Sequence, residues 1–393
     1  MNLKFKITLI LFAIAFLYCC NIKTSASGIL TGADQPELYL MKLQGKRVGL
    51  MVNQTSLVHQ THLVDFLLAE KIDVQKIFAV EHGFRGEAAD GEMIGNSIDA
   101  KTGIKIVSLY GEKKKATDED LSGIDLLVFD IQDVGCRFYT YTSSMLYMME
   151  ACAKNHIPLM VLDRPNPNGD YVDGPVLDMN FKSFVGLMPI PVVHGCTVGE
   201  LALMINGEGW LEKGLKCELE IVKVKNYTHQ TVYHLPVKTS PNLPNQLSVR
   251  LYPSLCFFEA TNVSIGRGTA FPFQVIGFPG CAISEFTFTP KTIAGVSNQP
   301  IHEEKECNGI DFRNMESIPT FTLSYFIQFF RQFGKSDDFW KSKRWIELLS
   351  GNGQFYDQIN NGLTEQEIRA TWQPQLSNYL KIRKQYLLYP DFD

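Results

Sequence analysis

Three features of this sequence predict an α/β fold built on a parallel sheet. Short apolar runs of strand length alternate with segments of helical spacing through the first half of the chain. One of them, Leu126 to Ile131, is apolar at every position but Asp130, as expected of a strand covered on both faces. Residues with chemistry to offer follow directly after these runs, at the edge where a parallel sheet binds its ligands.

Arg47 to Val52 reads as the first strand. Thr61 to Glu70 has helical spacing with Thr61 as its cap. Val74 to Val80, Ile104 to Leu109 and Pro158 to Leu162 read as further strands, and Thr142 to Asn155, rich in Met and Leu, as a helix. Thr197-Val198-Gly199-Glu200 has the Thr-x-x-Glu spacing of a capping box and opens a helix to about Asn206, which makes Glu200 a capping residue rather than a catalytic one. Prolines and asparagines from Leu235 to Pro253 place a domain boundary there, giving a parallel-sheet domain over 28–250 and a smaller α+β domain over 251–393. In the second domain Leu323 to Phe333 reads as a helix, and so does Thr364 towards Leu388, broken at Pro374.

The chain has 393 residues, enough for two domains, and its 45% hydrophobic and 20% charged residues are those of a globular protein with a large core. Net charge is −5, and the only basic run, Lys113-Lys114-Lys115, reads as a solvated loop; a nucleic-acid partner would need a wider basic surface. Lys4, Lys6 and the apolar run Ile7 to Tyr18 have the form of a signal peptide over 1–27. Ser25-Ala26-Ser27 suits ordinary cleavage, while Leu17-Tyr18-Cys19-Cys20 suits a relaxed lipobox that would attach the protein to a membrane through a lipidated Cys20. Either reading exports the chain, to the periplasm or to the outer membrane. Seven cysteines lie beyond the leader, an odd number without a C-x-x-C pair, so they read as buried small hydrophobes and no metal site is expected.

The strand ends collect the polar residues. Asn53-Gln54-Thr55 follows the first strand and Glu81-His82-Gly83-Phe84-Arg85-Gly86 the second. Asp130-Ile131-Gln132-Asp133 and Arg137-Phe138-Tyr139 follow the Leu126 run, and Asp163-Arg164-Pro165-Asn166 the Pro158 run. A dinucleotide site would want a glycine-rich turn after the first strand, where Asn53-Gln54-Thr55-Ser56 has none. No G-x-S-x-G elbow is present, and the neighbours His194 and Cys196 would have to pair in space to act as a thiol nucleophile. What remains is acid/base work by carboxylates. Glu81 has an apolar strand behind it, with His82 and Arg85 beside it, and a carboxyl against apolar walls can serve as a general acid near neutral pH. Glu92, Asp130, Asp133 and Glu259 could return to the same pocket, and Tyr139 and Tyr141 could pack on sugar faces.

At these residues the sequence resembles the exo-β-N-acetylmuramidase (NamZ) family. The resemblance rests on Glu81 to Gly86, Asp130 to Gly135, Arg137 to Tyr141, Asp163 to Pro167, His194-Gly195-Cys196-Thr197-Val198-Gly199-Glu200 and Gly266-Arg267-Gly268-Thr269, and it runs from about Gly45 onward. It implies a Rossmann-like domain, a smaller α+β domain and an active-site cleft between them. It implies release of N-acetylmuramic acid from the non-reducing end of peptidoglycan fragments, without a cofactor. Glu81 would be the catalytic glutamate, assisted by His82 and Glu92. Asn53, Arg85, Asp130, Asp133, Arg137, Tyr139, Asp163, Arg164, Asn166, His194, Glu259 and Arg267 would bind substrate. The sugar's lactyl carboxylate calls for a cation, with Arg85, Arg137, Arg164 and Arg267 as candidates. Retaining, inverting and substrate-assisted routes all stay open. Two other readings compete: a surface protein that binds muropeptides without cleaving them, and a hydrolase centred on Cys196.

Overall fold

A computed structural model of the chain describes residues 28–81, 83–84, 96–317, 319–334 and 337–392. The leader with Cys20, and the candidate site residues His82, Arg85 and Glu92, lie outside the described residues.

The central sheet forms from β1 (Arg47–Val52), β4 (Asp73–Ala79), β5 (Ser97–Ile98), β6 (Lys105–Ser108), β7 (Leu126–Asp130), β8 (Leu159–Leu162) and β9 (Leu219–Val222); the small ribbon β2 (Leu57–Val58) and β3 (Thr61–His62) stands apart from it. The strand order is β5-β6-β4-β1-β7-β8-β9, and every pairing is parallel except that of the edge strand β5. Counted along the chain, the parallel strands lie in the doubly wound order 3-2-1-4-5-6, which reverses between β1 and β7. The Rossmann-like arrangement is therefore present.

Burial explains the sequence pattern. All five residues of β7 and all four of β8 are buried, so these strands lose the polar alternation of a half-exposed one. Side chains alternate between the two faces. Val48, Leu50, Val52, Leu126 and Val128 meet Leu63, Val64 and Leu67 of the Leu63–Ala69 helix on one face. Met51, Leu127 and Phe129 share the other with Met145 and Met149 of the Tyr141–Lys154 helix.

This second cluster continues without a break into the C-terminal part, through Leu251, Phe257, Phe326, Ile346 and Trp372. That part has a three-stranded antiparallel sheet, β10 (Val275–Phe278), β12 (Cys307–Asp311) and β11 (Thr287–Phe288) in that order, and, among the described residues, five α-helices. Residue 250 falls inside one of them, Gln246–Leu255, and not in a linker.

Three local expectations change. His62 rather than Thr61 caps the first sheet helix, its ring Nδ1 accepting from the Val64 amide at 3.3 Å, because the helix begins at Leu63 and His62 is the residue just before it. β9 escapes the sequence reading: it is an edge strand, three of its four residues are not buried, and Glu220 breaks its apolar run. The last helix runs unbroken from Glu365 to Arg383 through Pro374. Pro374 is exposed, so the carbonyl that loses its donor faces solvent, while Ile368, Trp372, Leu376, Tyr379 and Arg383 anchor the opposite side. Pro374→Ala restores the missing amide, and thermal or urea unfolding should show a gain of about 1–3 kcal/mol; unchanged or lowered stability would show that the helix is already adapted to the proline.

Candidate active site

At the switch point between β1 and β7, where an open α/β sheet usually admits its ligand, the chain fills the crevice itself. Asn53 Oδ1 accepts from the Thr55 amide and hydroxyl at 2.9 and 2.6 Å, and Thr55 Oγ1 accepts from the Gln132 amide at 3.0 Å. Ser56 Oγ donates to the Asp130 carbonyl. The Asp130 carboxylate takes a two-pronged ion pair from Arg164, with Nε at 2.6 Å and Nη2 at 2.9 Å, both side chains almost wholly buried.

The neighbouring candidates are also engaged in contacts within the fold. Asp163 accepts from the Thr197 hydroxyl (2.8 Å), the Gly199 amide (2.8 Å) and the Tyr389 hydroxyl (2.5 Å), which ties β8 to the start of the Val198–Gly207 helix and to the C-terminal tail. Burial pushes the Asp163 carboxyl up to about 6. Asn166 bridges the Cys196 carbonyl and the Asn168 amide. His194 Nδ1 accepts from the Cys196 amide, which leaves the proton on Nε2, 3.5 Å from Asp133 Oδ2. Glu200 forms the expected capping box with Thr197 and also meets His229 Nε2 at 3.0 Å.

The open space lies to one side, over β4 and β6 and against the C-terminal part. It is a cleft of about 600 Å³ lined by Glu81 and, among others, Tyr110, Thr140, Tyr139, Glu259 and Arg267. Strand register builds its floor: Ala79 pairs with Ser108, so two residues on Glu81 and Tyr110 stand side by side beyond the strand ends. Tyr110 Oη donates to Glu81 Oε1 at 2.6 Å. Thr140, the N-cap residue of the Tyr141–Lys154 helix, donates through Oγ1 to Oε2 at 2.7 Å. The half-buried carboxylate thus sits between two hydroxyls at the N-terminal end of a 14-residue helix, a favourable place for negative charge. It is not enclosed by apolar walls alone. Tyr139 and Tyr141 serve as scaffold here, both hydroxyls donating to the Thr239 carbonyl, at 2.9 and 3.3 Å.

The C-terminal part closes the cleft with Glu259 and Arg267, ion-paired at 2.7 Å. Arg267 sits in a tight turn between Gly266 and Gly268, both at positive φ (76° and 80°), and a Cβ at Gly268 would meet the Lys291 carbonyl at 2.6 Å. Of the four candidate arginines, only Arg267 is placed in the cleft among the described residues. Arg164 is spent on Asp130, and Arg137 is buried against the end of the Lys343–Ser350 helix, donating to the Leu349 and Ser350 carbonyls at 2.9 and 3.1 Å.

Sequence reasoning passed over Tyr110, Thr140 and Lys114. The first two carry only hydroxyls, and the signal for them was position just after a strand and at a helix start. The lysine triplet is not a plain solvated loop. Lys113 pairs with Asp120, Lys115 with Glu150 and Glu212, and Lys114 lines the cleft. Cys196 is buried, 3.4 Å from the Tyr379 hydroxyl, and burial pushes its thiol up to about 12, the reverse of an activated nucleophile. All seven described cysteines are buried and unpaired.

A carboxylate held by two hydroxyls at the rim of a cleft over an open α/β sheet is an arrangement suited to acid/base chemistry of a hydrolase. The chain belongs to the exo-β-N-acetylmuramidase NamZ family, a family of glycosidases: it matches the family's N-terminal domain over residues 48–247 and its C-terminal domain over 250–389. It is 38% identical over 385 residues to the peptidoglycan beta-N-acetylmuramidase NamZ of Bacillus subtilis (strain 168), covering 92% of this chain and 91% of that one. It also resembles two crystal structures of DUF1343 family proteins from Bacteroides fragilis NCTC 9343. The first is 42% identical with a TM-score of 0.84, over 93% of this chain and all of the other. The second is 29% identical with a TM-score of 0.79, over 92% and 99%.

The buried Asp163 carboxyl yields a pH prediction. Its folded value of about 6 lies above the ordinary 3.8, so folding takes up a proton between them; its contribution to stability is fullest at low pH and is lost as pH rises through 6. Asn cannot titrate. The stability of wild type relative to Asp163→Asn should therefore rise by about 1–3 kcal/mol between pH 7.5 and 4.5 in urea unfolding, and a difference that is flat or reversed with pH would refute the assignment.

Proposed function

We propose that this chain releases N-acetylmuramic acid from the non-reducing end of peptidoglycan fragments, with Glu81 as the general acid. Membership of the muramidase family supports the reaction. The Glu81 carboxyl held by Tyr110 and Thr140 at the cleft rim is the observation that carries the role. The acid must give its proton to the glycosidic oxygen and leave the transition state as a carboxylate. Two hydroxyl donors already aimed at both oxygens fix its orientation and stabilise the charge as it develops, without reorganisation at the moment of transfer. The cleft volume, about 600 Å³, lies within the range of small-ligand sites. Glu259, oriented by Arg267, is the second carboxylate among the described residues of the cleft.

An exported enzyme would meet such fragments outside the cytoplasm. The apolar run Ile7 to Tyr18 behind Lys4 and Lys6 supports that placement, and Cys20 offers a lipid anchor.

Wild type should liberate 4-nitrophenol from 4-nitrophenyl β-N-acetylmuramide, while folded Glu81→Gln should be slower by roughly a thousandfold or more. Near-normal turnover by the variant would remove Glu81 from the acid role. Tight binding of the glycoside by wild type without product would favour the non-catalytic binding protein. Tyr110→Phe keeps the ring and loses one donor; kcat should fall by about 10- to 100-fold with little change in thermal stability.

A further inference from the structure

We infer that Lys114 is the residue that recognises the carboxylate of the substrate, and so selects a lactyl-bearing sugar over one without it. The inference rests on the proposed muramidase reading of this cleft. Two cations line the cleft among the described residues. Arg267 is neutralised by Glu259 at 2.7 Å. Lys114 is different: among the described residues no carboxylate lies within ion-pair distance of it, although both of its neighbours in sequence have such partners.

The Lys114 ammonium is positioned instead by an aromatic stack. Its Nζ lies 4.6 Å from the centroid of Phe184, another residue of the cleft lining. Phe184 stacks on Tyr147, with centroids 6.1 Å apart and planes inclined by 20°, and Lys115 Nζ lies 4.4 Å from the centroid of the Tyr147 ring. The order Lys115, Tyr147, Phe184, Lys114 ends at the cleft. A ring face holds a cation in place without cancelling its charge, and it leaves the ammonium hydrogens free to donate. A half-buried ammonium held in this way, with no carboxylate at ion-pair distance among the described residues, fits an anionic group brought in by the ligand. On N-acetylmuramic acid that group is the lactyl carboxylate, which N-acetylglucosamine lacks.

The test compares wild type, Lys114→Met and Lys114→Arg on 4-nitrophenyl β-N-acetylmuramide, on its lactyl methyl ester and on 4-nitrophenyl β-N-acetylglucosaminide. Lys114→Met should raise KM for the acid by about 10- to 100-fold with kcat within about threefold of wild type. The ester and the glucosaminide, which present no carboxylate, should shift by less than about twofold, and Lys114→Arg should recover much of the loss. Titration calorimetry with free N-acetylmuramic acid and N-acetylglucosamine adds a readout that needs no turnover. Should wild type cleave nothing, the muramidase reading fails while the calorimetry still decides on Lys114. A preference for the acid sugar that disappears in Lys114→Met supports the inference. An unchanged KM and affinity, or equal losses on acid, ester and glucosaminide, overturns it.

Discussion

The buried ion pair between Asp130 and Arg164 decides where this protein can do chemistry. It stands at the reversal point of the doubly wound sheet, with both side chains out of water. A charge buried there needs a partner with matched geometry, since an unpaired one costs several kcal/mol. The two-pronged contact meets that need, and the Thr55 and Ser56 hydroxyls satisfy the Gln132 amide and the Asp130 carbonyl beside it. The crevice that other folds of this order leave for a ligand is thereby closed. The cleft at the strand ends opens instead beyond β4 and β6, and Glu81 is the residue that β4 delivers there.

This division explains what was readable in the chain and what was not. Periodicity located five of the six parallel strands to within about two residues, because strands buried on both faces must be apolar throughout. The capping box at Thr197 and Glu200 was readable because both of its hydrogen bonds are local. The polar residues behind the strands looked like one site, yet they separate into two populations. Asp130 and Arg164 pair with each other, and Asp163, Asn166 and Asn53 are taken up by nearby turns and a helix start, whereas Glu81, Glu259 and Arg267 face the cleft. Composition at a strand end reports that polar groups gather there. It does not report which of them pair, because pairing depends on register and on loops that meet across more than thirty residues, as Asp130 and Arg164 do. Tyr110 was invisible for the same reason: only the alignment of Ala79 with Ser108 brings it beside Glu81.

The cleft draws on both halves of the chain, and its geometry holds only if the halves are locked together. The continuous core supplies most of that lock. Arg137 supplies a polar part of it, which accounts for its place in the motif better than substrate binding does. Its guanidinium lies between Gly186 and Gly351, where an added Cβ at Gly351 would come within 2.8 Å of Nη1. It donates to the carbonyls that end the Lys343–Ser350 helix, the negative pole of the helix dipole, and so meets a favourable field without a carboxylate. That helix carries Trp345 into the cleft wall. An arginine that follows β7 in sequence thus pins a C-terminal wall of the site to the sheet whose edge carries Glu81. A loop-mounted wall would have to be ordered each time a ligand bound. A wall fixed by a buried guanidinium and a shared core is ordered already, so the binding free energy of a ligand in this cleft can go into its placement beside Glu81 rather than into ordering the wall.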